Sequence, residues 1–315
     1  MNICKPTGTI WILFERRQRR SNGGYFRMKY LVTGCSGFIG GNLCRRLATY
    51  GEVFAVYHRQ PPLALEGEAN IRLVPLAQLE TLIRHAPIDM VIHCAAVHPR
   101  SGLNAPAYQE YLWVNGELTG RVVEVANRLS ATVFLYLSTI SVYGEVTTGC
   151  LDEKTPFNAP DLYGASKYLG ELVVQEFCTA SASLCLRLPG VVGRSGLHAW
   201  LCGIKQRALH DQPITIYKPE SLFNNITDID DIVRFIRHLP DHLAQPFDRL
   251  NMAASAPLPV IDAVSMMLGA IGSKSRITVI DDSRNSFVIS TGKLQEQYGF
   301  FPVKTADVIA RFSME

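Results

Sequence analysis

The 315-residue chain lacks several things, and each absence removes a class of function. No apolar run approaches the roughly 20 residues that a membrane-spanning helix needs. No C-x-x-C pair occurs among the eight cysteines, at 4, 35, 44, 94, 150, 178, 185 and 202. Their scatter is neither a disulfide framework nor a zinc site, and it fits a reducing, cytoplasmic setting. No histidine, cysteine and carboxylate set carries metal-ligand spacing, so no metal is expected. Charge of one sign is also missing: the formal net charge is +3, too mild to argue for nucleic acid. No internal repeat or low-complexity tract is visible. What remains, 47% hydrophobic and 19% charged residues, is the composition of a globular protein with room for one large α/β domain or two unequal lobes.

The most informative stretch is Lys29 to Leu47, KYLVTGCSGFIGGNLCRRL. Tyr30, Leu31 and Val32 read as a short buried strand. Gly34, Gly37 and Gly40 follow: one for a tight turn, one for close backbone approach to a phosphate, one for close packing of helix on strand. Ile39, Leu43 and Leu47 recur every four residues and mark one helical face. A glycine turn between a strand and a helix, early in a βαβ unit, is the context in which this pattern binds a dinucleotide. The helix N-terminus offers free N–H groups and the positive end of its dipole to the pyrophosphate.

Strand and helix patterns then alternate. Strands are expected at Val53–Tyr57, Ile71–Val74, Met90–Ala96, Val133–Leu137 and Leu184–Leu188. Helices are expected over Leu76–His85, Pro106–Leu129 and from about Asp161. The alternation argues for a doubly wound parallel sheet of Rossmann type with right-handed crossovers. Residues 28–188, rejoined by about 221–254, form the expected dinucleotide-binding domain. Asn224 to Leu239 is expected to return to the main sheet as a strand and helix. Residues 189–220 and 255–315 form a smaller α/β substrate lobe. Asn225, Asp228, Asp230 and Asp231 suit a turn and a helix cap rather than a metal. Residues 1–27, with the apolar Thr9–Phe14 and the basic Arg16–Arg20, read as a disordered extension ahead of Met28.

Chemistry gathers at the ends of the strands. Tyr57-His58-Arg59 follows the second strand with no acid to bind a ribose 2′-hydroxyl, and Arg59 can fork onto a 2′-phosphate, which tilts the cofactor reading from NAD toward NADP. Ala95 and Ala96 are small enough for a flat cofactor to pass over the sheet edge. Ser138-Thr139-Ile140-Ser141 places hydroxyls where open α/β sheets bind ligands. Tyr163 and Lys167, four apart, share one face of a helix. A phenol near pKa 10 is a poor base at neutral pH, and an ammonium one turn away favours the phenolate. Such a tyrosine can exchange a proton with a substrate hydroxyl while hydride moves at carbon, and Thr139 can fix the same oxygen.

These residues carry a resemblance. TGCSGFIG, DMVIHCAA, STISVYG, YGASK and LRLPGVVG, in this order over about Lys29 to Phe312, resemble the extended short-chain dehydrogenase/reductase family, the NAD-dependent epimerase/dehydratase group. The resemblance implies a Rossmann domain that holds NAD or NADP and a C-terminal lobe that binds a substrate, most often a nucleotide sugar. It implies Thr139, Tyr163 and Lys167 as the catalytic set. At the pyrophosphate it implies Gly34, Gly37 and Gly40, with Asn115 supporting the lysine; taken with the residues read above, the expected cofactor set is Gly34, Ser36, Gly37, Phe38, Ile39, Gly40, His58, Arg59, Ala95, Ala96, Asn115, Tyr163, Lys167 and Pro189. Arg187, Arg194 and Lys205 fall where a sugar-nucleotide diphosphate would be clamped. His198 and Cys202 read more simply as a loop histidine and a buried thiol than as an acid–base pair. The family is commonly dimeric through two helices per subunit, here about 106–129 and 162–178. This chain departs from the pattern at the acid after the second strand and the acid after the third, where Pro75-Leu76 stands. It also lacks the Asp-Glu pair with which family dehydratases eliminate water. Epimerisation through a transient keto sugar, or reduction of a keto sugar, remains; a carbonyl reductase of a small non-sugar substrate and a non-catalytic NAD(P)-binding regulator are the alternatives.

Overall fold

The computed structural model describes residues 27–84, 88–99, 105–194, 196, 199–243, 245–280 and 285–315. The expected extension and His198 lie outside these residues. Among the described residues no helix is long and apolar enough to cross a membrane.

The architecture is that of a doubly wound α/β protein. Among the described residues its main sheet has seven strands, in the spatial order Phe247–Asn251, Ala182–Leu188, Val133–Thr139, Met90–His93, Met28–Thr33, Gly51–Tyr57 and Ile71–Pro75. These are β1 (Met28–Thr33), β2 (Gly51–Tyr57), β3 (Ile71–Pro75), β4 (Met90–His93), β5 (Val133–Thr139), β7 (Ala182–Leu188) and β12 (Phe247–Asn251). β1 pairs in parallel with β2 on one side and β4 on the other, Tyr30 lying opposite Val53 and Met90. β4 in turn runs parallel to β5. Strands covered on both faces read as continuous apolar runs, and β5 and β7 are buried along their whole length. Helix α1 (Phe38–Leu47) follows the glycine turn and buries Gly40, Leu43, Cys44 and Leu47; of the expected stripe Leu43 and Leu47 are buried and Ile39 is half-buried.

The segment expected as one helix over 106–129 is interrupted. It starts as α2 (Tyr108–Tyr111), widens to a π turn over Leu112–Glu117, and resumes as α3 (Leu118–Arg128). Helix α4 (Leu162–Phe177) carries Tyr163 and Lys167. Asp161 caps it, its Oδ1 accepting from the Gly164 N–H at 2.7 Å.

The seventh strand is a correction to the sequence reading. Ile226–Asp228 (β11) does not return to the main sheet; it pairs with β8 (Gly190–Val192) in a separate two-stranded sheet. Phe247–Asn251 takes the edge position instead. The helix after β11, α6 (Ile229–His238), was anticipated. So was its cap: Asp228 Oδ1 accepts from the Asp230 N–H at 2.8 Å.

By contact the chain divides into two compact units. The first comprises residues up to Leu137, Ser166–Cys185 and Ile236–Asp248; the second comprises Ser138–Ala165, Leu186–Phe235 and Arg249–Glu315. The first has a core of Leu31, Phe54, Val91, Val122, Phe134 and their neighbours. The second has its own core, in which Leu201, Ile204, Met267, Ile309 and Phe312 pack together. Those residues come from α5 (Trp200–Leu209), α7 (Val260–Ile271) and α9 (Thr305–Met314). It also holds the parallel pair β9 (Ile214–Tyr217) and β14 (Ile277–Ile280).

Candidate active site

In the first unit the glycine turn is as tight as its sequence implies. Gly34 has φ +71°, and a Cβ there would lie 2.8 Å from the Ala95 backbone. A Cβ on Gly40 would run into the Gly34 carbonyl. The Gly37 N–H donates to the Gly34 carbonyl at 2.9 Å, and the Cys35 N–H to that of Val56 at 3.3 Å, so turn and second strand are tied together. Helix α1 begins at Gly37 with no side-chain cap, and its basic residues stand at the far end, Arg45 and Arg46. That leaves the dipole's positive end uncompensated at the turn, which suits an anion. Ser36 and Gly37 are exposed, Phe38 and Ile39 half-buried. Ser36 Oγ donates to the Gln60 carbonyl at 3.4 Å. His58 and Arg59, both exposed, follow β2. The His58 ring lies 5.7 Å from that of Trp113, on the π turn.

Below the turn runs a hydrogen-bond relay that sequence reasoning missed. The Thr33 hydroxyl accepts from the Cys94 and Ala95 N–H groups at 3.1 and 3.2 Å. It lies 2.6 Å from His93 Nδ1. His93 Nε2 lies 3.1 Å from the Thr119 hydroxyl, which donates to the Asn115 carbonyl at 2.9 Å. With the Thr119 proton spent on that carbonyl, His93 must donate from Nε2 and accept at Nδ1. Burial holds its pKa down at about 3, so the ring is neutral at neutral pH. The signal was a histidine ending an otherwise apolar strand. The relay fixes Cys94 and the small residue Ala95 just past the strand end. Asn115 holds Val97: its Oδ1 accepts from the Val97 N–H at 2.9 Å, and its Nδ2 donates to the Ser166 hydroxyl at 2.9 Å.

Lys167 stands one residue beyond. It is 1% exposed, and its Nζ has no hydrogen-bond partner among the described residues. The ammonium lies 4.0 Å from the centre of the Tyr136 ring. Burial lowers its pKa from the usual lysine range to about 7. A buried ammonium that satisfies none of its three donors is costly unless a ligand oxygen completes it. The residues of this unit therefore fit a dinucleotide on two counts: a turn whose glycines leave no side chain between backbone and phosphate, and an unsatisfied lysine able to hold ribose hydroxyls.

In the second unit the Thr139 hydroxyl accepts from the Ser141 N–H and donates to the Ser141 hydroxyl, both at 3.2 Å. The short 3-10 turn after β5 holds it there. Tyr163 is half-buried, in the first turn of α4 and one helical turn before Lys167. Pro189 follows β7 and is half-buried. Arg194 is exposed. Lys205 is engaged: its ammonium donates to the Phe312 carbonyl at 2.6 Å and lies over the Phe312 ring. Cys202 is buried, and burial raises its thiol pKa, as the plainer reading expected. A further network was not foreseen. Arg187, buried in β7, donates to the Tyr143 hydroxyl at 2.8 Å, and that hydroxyl donates to Asn251 Oδ1 at 2.9 Å. Glu153 accepts from the Asn251 N–H at 2.7 Å.

A family model described as the NAD dependent epimerase/dehydratase family matches residues 30–253. The chain belongs to that family. It is an enzyme of the extended short-chain dehydrogenase/reductase type. Among family relatives, the UDP-glucose epimerase YtcB of Bacillus subtilis, itself described as uncharacterized, is 25% identical over 276 residues, covering 81% of this chain and 85% of its own. A dTDP-4-dehydrorhamnose reductase of Burkholderia thailandensis is 35% identical over 152 residues, 47% of this chain and 46% of its own. The solved structure of UDP-glucuronic acid 4-epimerase from Bacillus cereus in complex with NAD superposes with a TM-score of 0.74 at 23% identity, covering 91% of this chain and 98% of that one.

Proposed function

We propose that this enzyme epimerises or reduces a nucleotide-activated sugar at a hydroxyl-bearing carbon. The observation that carries the reading is the buried Lys167 ammonium, without a hydrogen-bond partner, one turn from Tyr163. In a family whose relatives are named for UDP-glucose, UDP-glucuronate and dTDP-4-dehydrorhamnose, that pair suits hydride chemistry at a sugar carbon. The bound dinucleotide supplies or receives the hydride. The chain's residues manage the proton and the geometry. Tyr163 takes the proton from the substrate hydroxyl, or returns it, at the phenolic oxygen. Thr139 hydrogen-bonds the same substrate oxygen. Lys167 favours the phenolate by its charge and holds the nicotinamide ribose. Arg194 is the diphosphate cation; Lys205 would have to leave the Phe312 carbonyl to join it. The test is incubation with UDP-glucose, UDP-glucuronate and a dTDP-4-keto sugar, following NAD(P)H absorbance and product stereochemistry. Turnover of none of the three, under conditions where dinucleotide binds, would overturn the sugar reading and favour a small carbonyl substrate.

Cofactor choice rests on the end of β2, where His58 and Arg59 stand and no acid does. The named structural neighbour holds NAD. If Arg59 forks onto a 2′-phosphate, Arg59→Ala weakens NADPH binding by about tenfold or more, the scale of a lost charge-assisted hydrogen bond, and leaves NADH binding unchanged. Fluorescence titration with both dinucleotides reads this directly. Equal effects on the two, or none, would assign Arg59 to the solvent.

We also propose a homodimer through the helix face lined by Leu112, Trp113, Leu169, Val173 and Phe177. All but Val173 are exposed large apolar side chains. Glu117, Arg121 and Glu124 border it with both signs of charge. Such a rimmed apolar patch marks an interface. Light scattering is expected to give twice the 35.0 kDa chain mass and, for Leu169→Glu, the monomer mass. A wild-type monomer at micromolar concentration would sink the proposal.

A further inference from the structure

The proposed chemistry asks Lys167 to carry a charge in a place hostile to charge. Gly170, on the next turn, packs so closely that a Cβ there would strike the Tyr136 hydroxyl and the Asn115 carbonyl. Several groups beside the lysine are neutral or aromatic. From β5 comes the Tyr136 ring. From β4 comes His93, held neutral, and just beyond the strand Cys94, whose thiol burial pushes well above the usual range. From β7 comes Cys185. Among the charged groups that act on Lys167, one is a carboxylate: Glu171, four residues on along α4. Glu171 is 0% exposed. A glutamate is almost never fully buried unless it is paired. A lysine preceding a glutamate by four is also the weaker order for a surface helix pair, so helix stability does not account for it.

We propose that Glu171 is a positioning residue, a buried counter-charge that keeps the Lys167 ammonium protonated where Tyr163 and the dinucleotide need it. It touches neither substrate nor cofactor. It acts through Lys167, whose functional role rests on the reading above; its charge does not. One turn of helix separates the two residues, so they lie on one face of α4, and that spacing is fixed by the helix whether or not a cofactor is bound. Without the carboxylate the lysine loses the charge that favours its ammonium, and gives up its proton at a lower pH.

The experiment is a titration of the lysine itself, in the cofactor-free full chain. Lysines are labelled with ¹³C at Cε, and the Lys167 resonance is assigned by its loss in Lys167→Met. Glu171→Gln, close in shape and uncharged, is expected to lower the Lys167 midpoint by at least one pH unit, a tenfold drop in proton affinity. Glu171→Asp, which keeps the charge one methylene further away, is expected to fall between Gln and wild type. In the same variants the alkaline limb of dinucleotide binding, followed by fluorescence, should move with the lysine. A Lys167 midpoint unchanged in Glu171→Gln overturns the proposal, as does a limb that stays fixed while the lysine moves. If the Gln variant does not fold, the Asp variant decides: a lowered midpoint supports the counter-charge and an unmoved one removes it. None of these readings needs a substrate, so they stand even if the sugar assignment fails.

Discussion

Tyr163→Phe is expected to lower turnover by at least about a hundredfold while dinucleotide affinity stays within about twofold of wild type. The magnitude is that of a lost general acid–base, which contributes 10²–10⁴-fold. The separation of the two effects follows from the architecture. The glycine turn and Lys167 belong to one compact unit, and Tyr163 precedes Lys167 by one turn of α4. Removing one hydroxyl leaves the ring, the helix and the lysine in place. Stopped-flow measurement of hydride transfer, paired with calorimetric titration of the dinucleotide, checks both halves. Unchanged hydride transfer would return the proton role to another group. A collapse in dinucleotide affinity would make Tyr163 a structural part of the cofactor site.

Gly34→Ala is expected to cost about 2–5 kcal/mol of stability and to abolish measurable dinucleotide binding. Two penalties add. A non-glycine residue at positive φ costs roughly 1–2 kcal/mol, and Gly34 sits at φ +71°. The new methyl would also meet the Ala95 backbone at 2.8 Å, and overpacking against a wall that cannot yield costs typically 1–3 kcal/mol. That wall is pinned: the Cys94 and Ala95 N–H groups donate to Thr33, which is itself fixed by His93. The relay therefore stiffens the turn from beneath. Differential scanning calorimetry without cofactor should show the melting temperature fall by roughly 2–4 °C for each kcal/mol lost. A variant that melts within a degree of wild type and still binds dinucleotide would mean that the turn relaxes freely.

The contrast between these two sites and the rest of the molecule explains what could be read in advance. The glycine turn and the Tyr163/Lys167 pair are local: their meaning lies in spacings of three and four residues. The parallel sheet was legible because buried strands are apolar throughout, as in Val133–Leu137. The seventh strand was not, because Phe247–Asn251 carries Asp248, Arg249 and Asn251 beside only two apolar residues, whereas Ile226–Asp228 looked equally strand-like and pairs elsewhere. Partners across long sequence separations were out of reach. Arg187 in β7 meets Tyr143 and Asn251 through a network that no spacing announces. Lys205 reads as a free cation in sequence and is tied to the Phe312 carbonyl of the last helix. Glu171 carries no sequence signal that marks it out from the other polar residues of α4. Only its complete burial sets it apart.

The π turn at Leu112–Glu117 has a consequence for how such a chain tolerates change in length. A π turn amounts to one extra residue inside an α-helical run. It re-phases the helix on its far side by one residue's rotation, about 100°. Asn115 sits within it and grips Val97 on one side and Ser166 on the other. The segments before and after the turn, carrying Tyr111 and Thr119, both bury their side chains. The extra residue is absorbed where a specific side chain makes use of the widened backbone, and the two flanking α segments keep separate registers. Insertions and deletions elsewhere in this helix would slide a buried face into solvent. Within these six residues, the count of residues is itself part of the site.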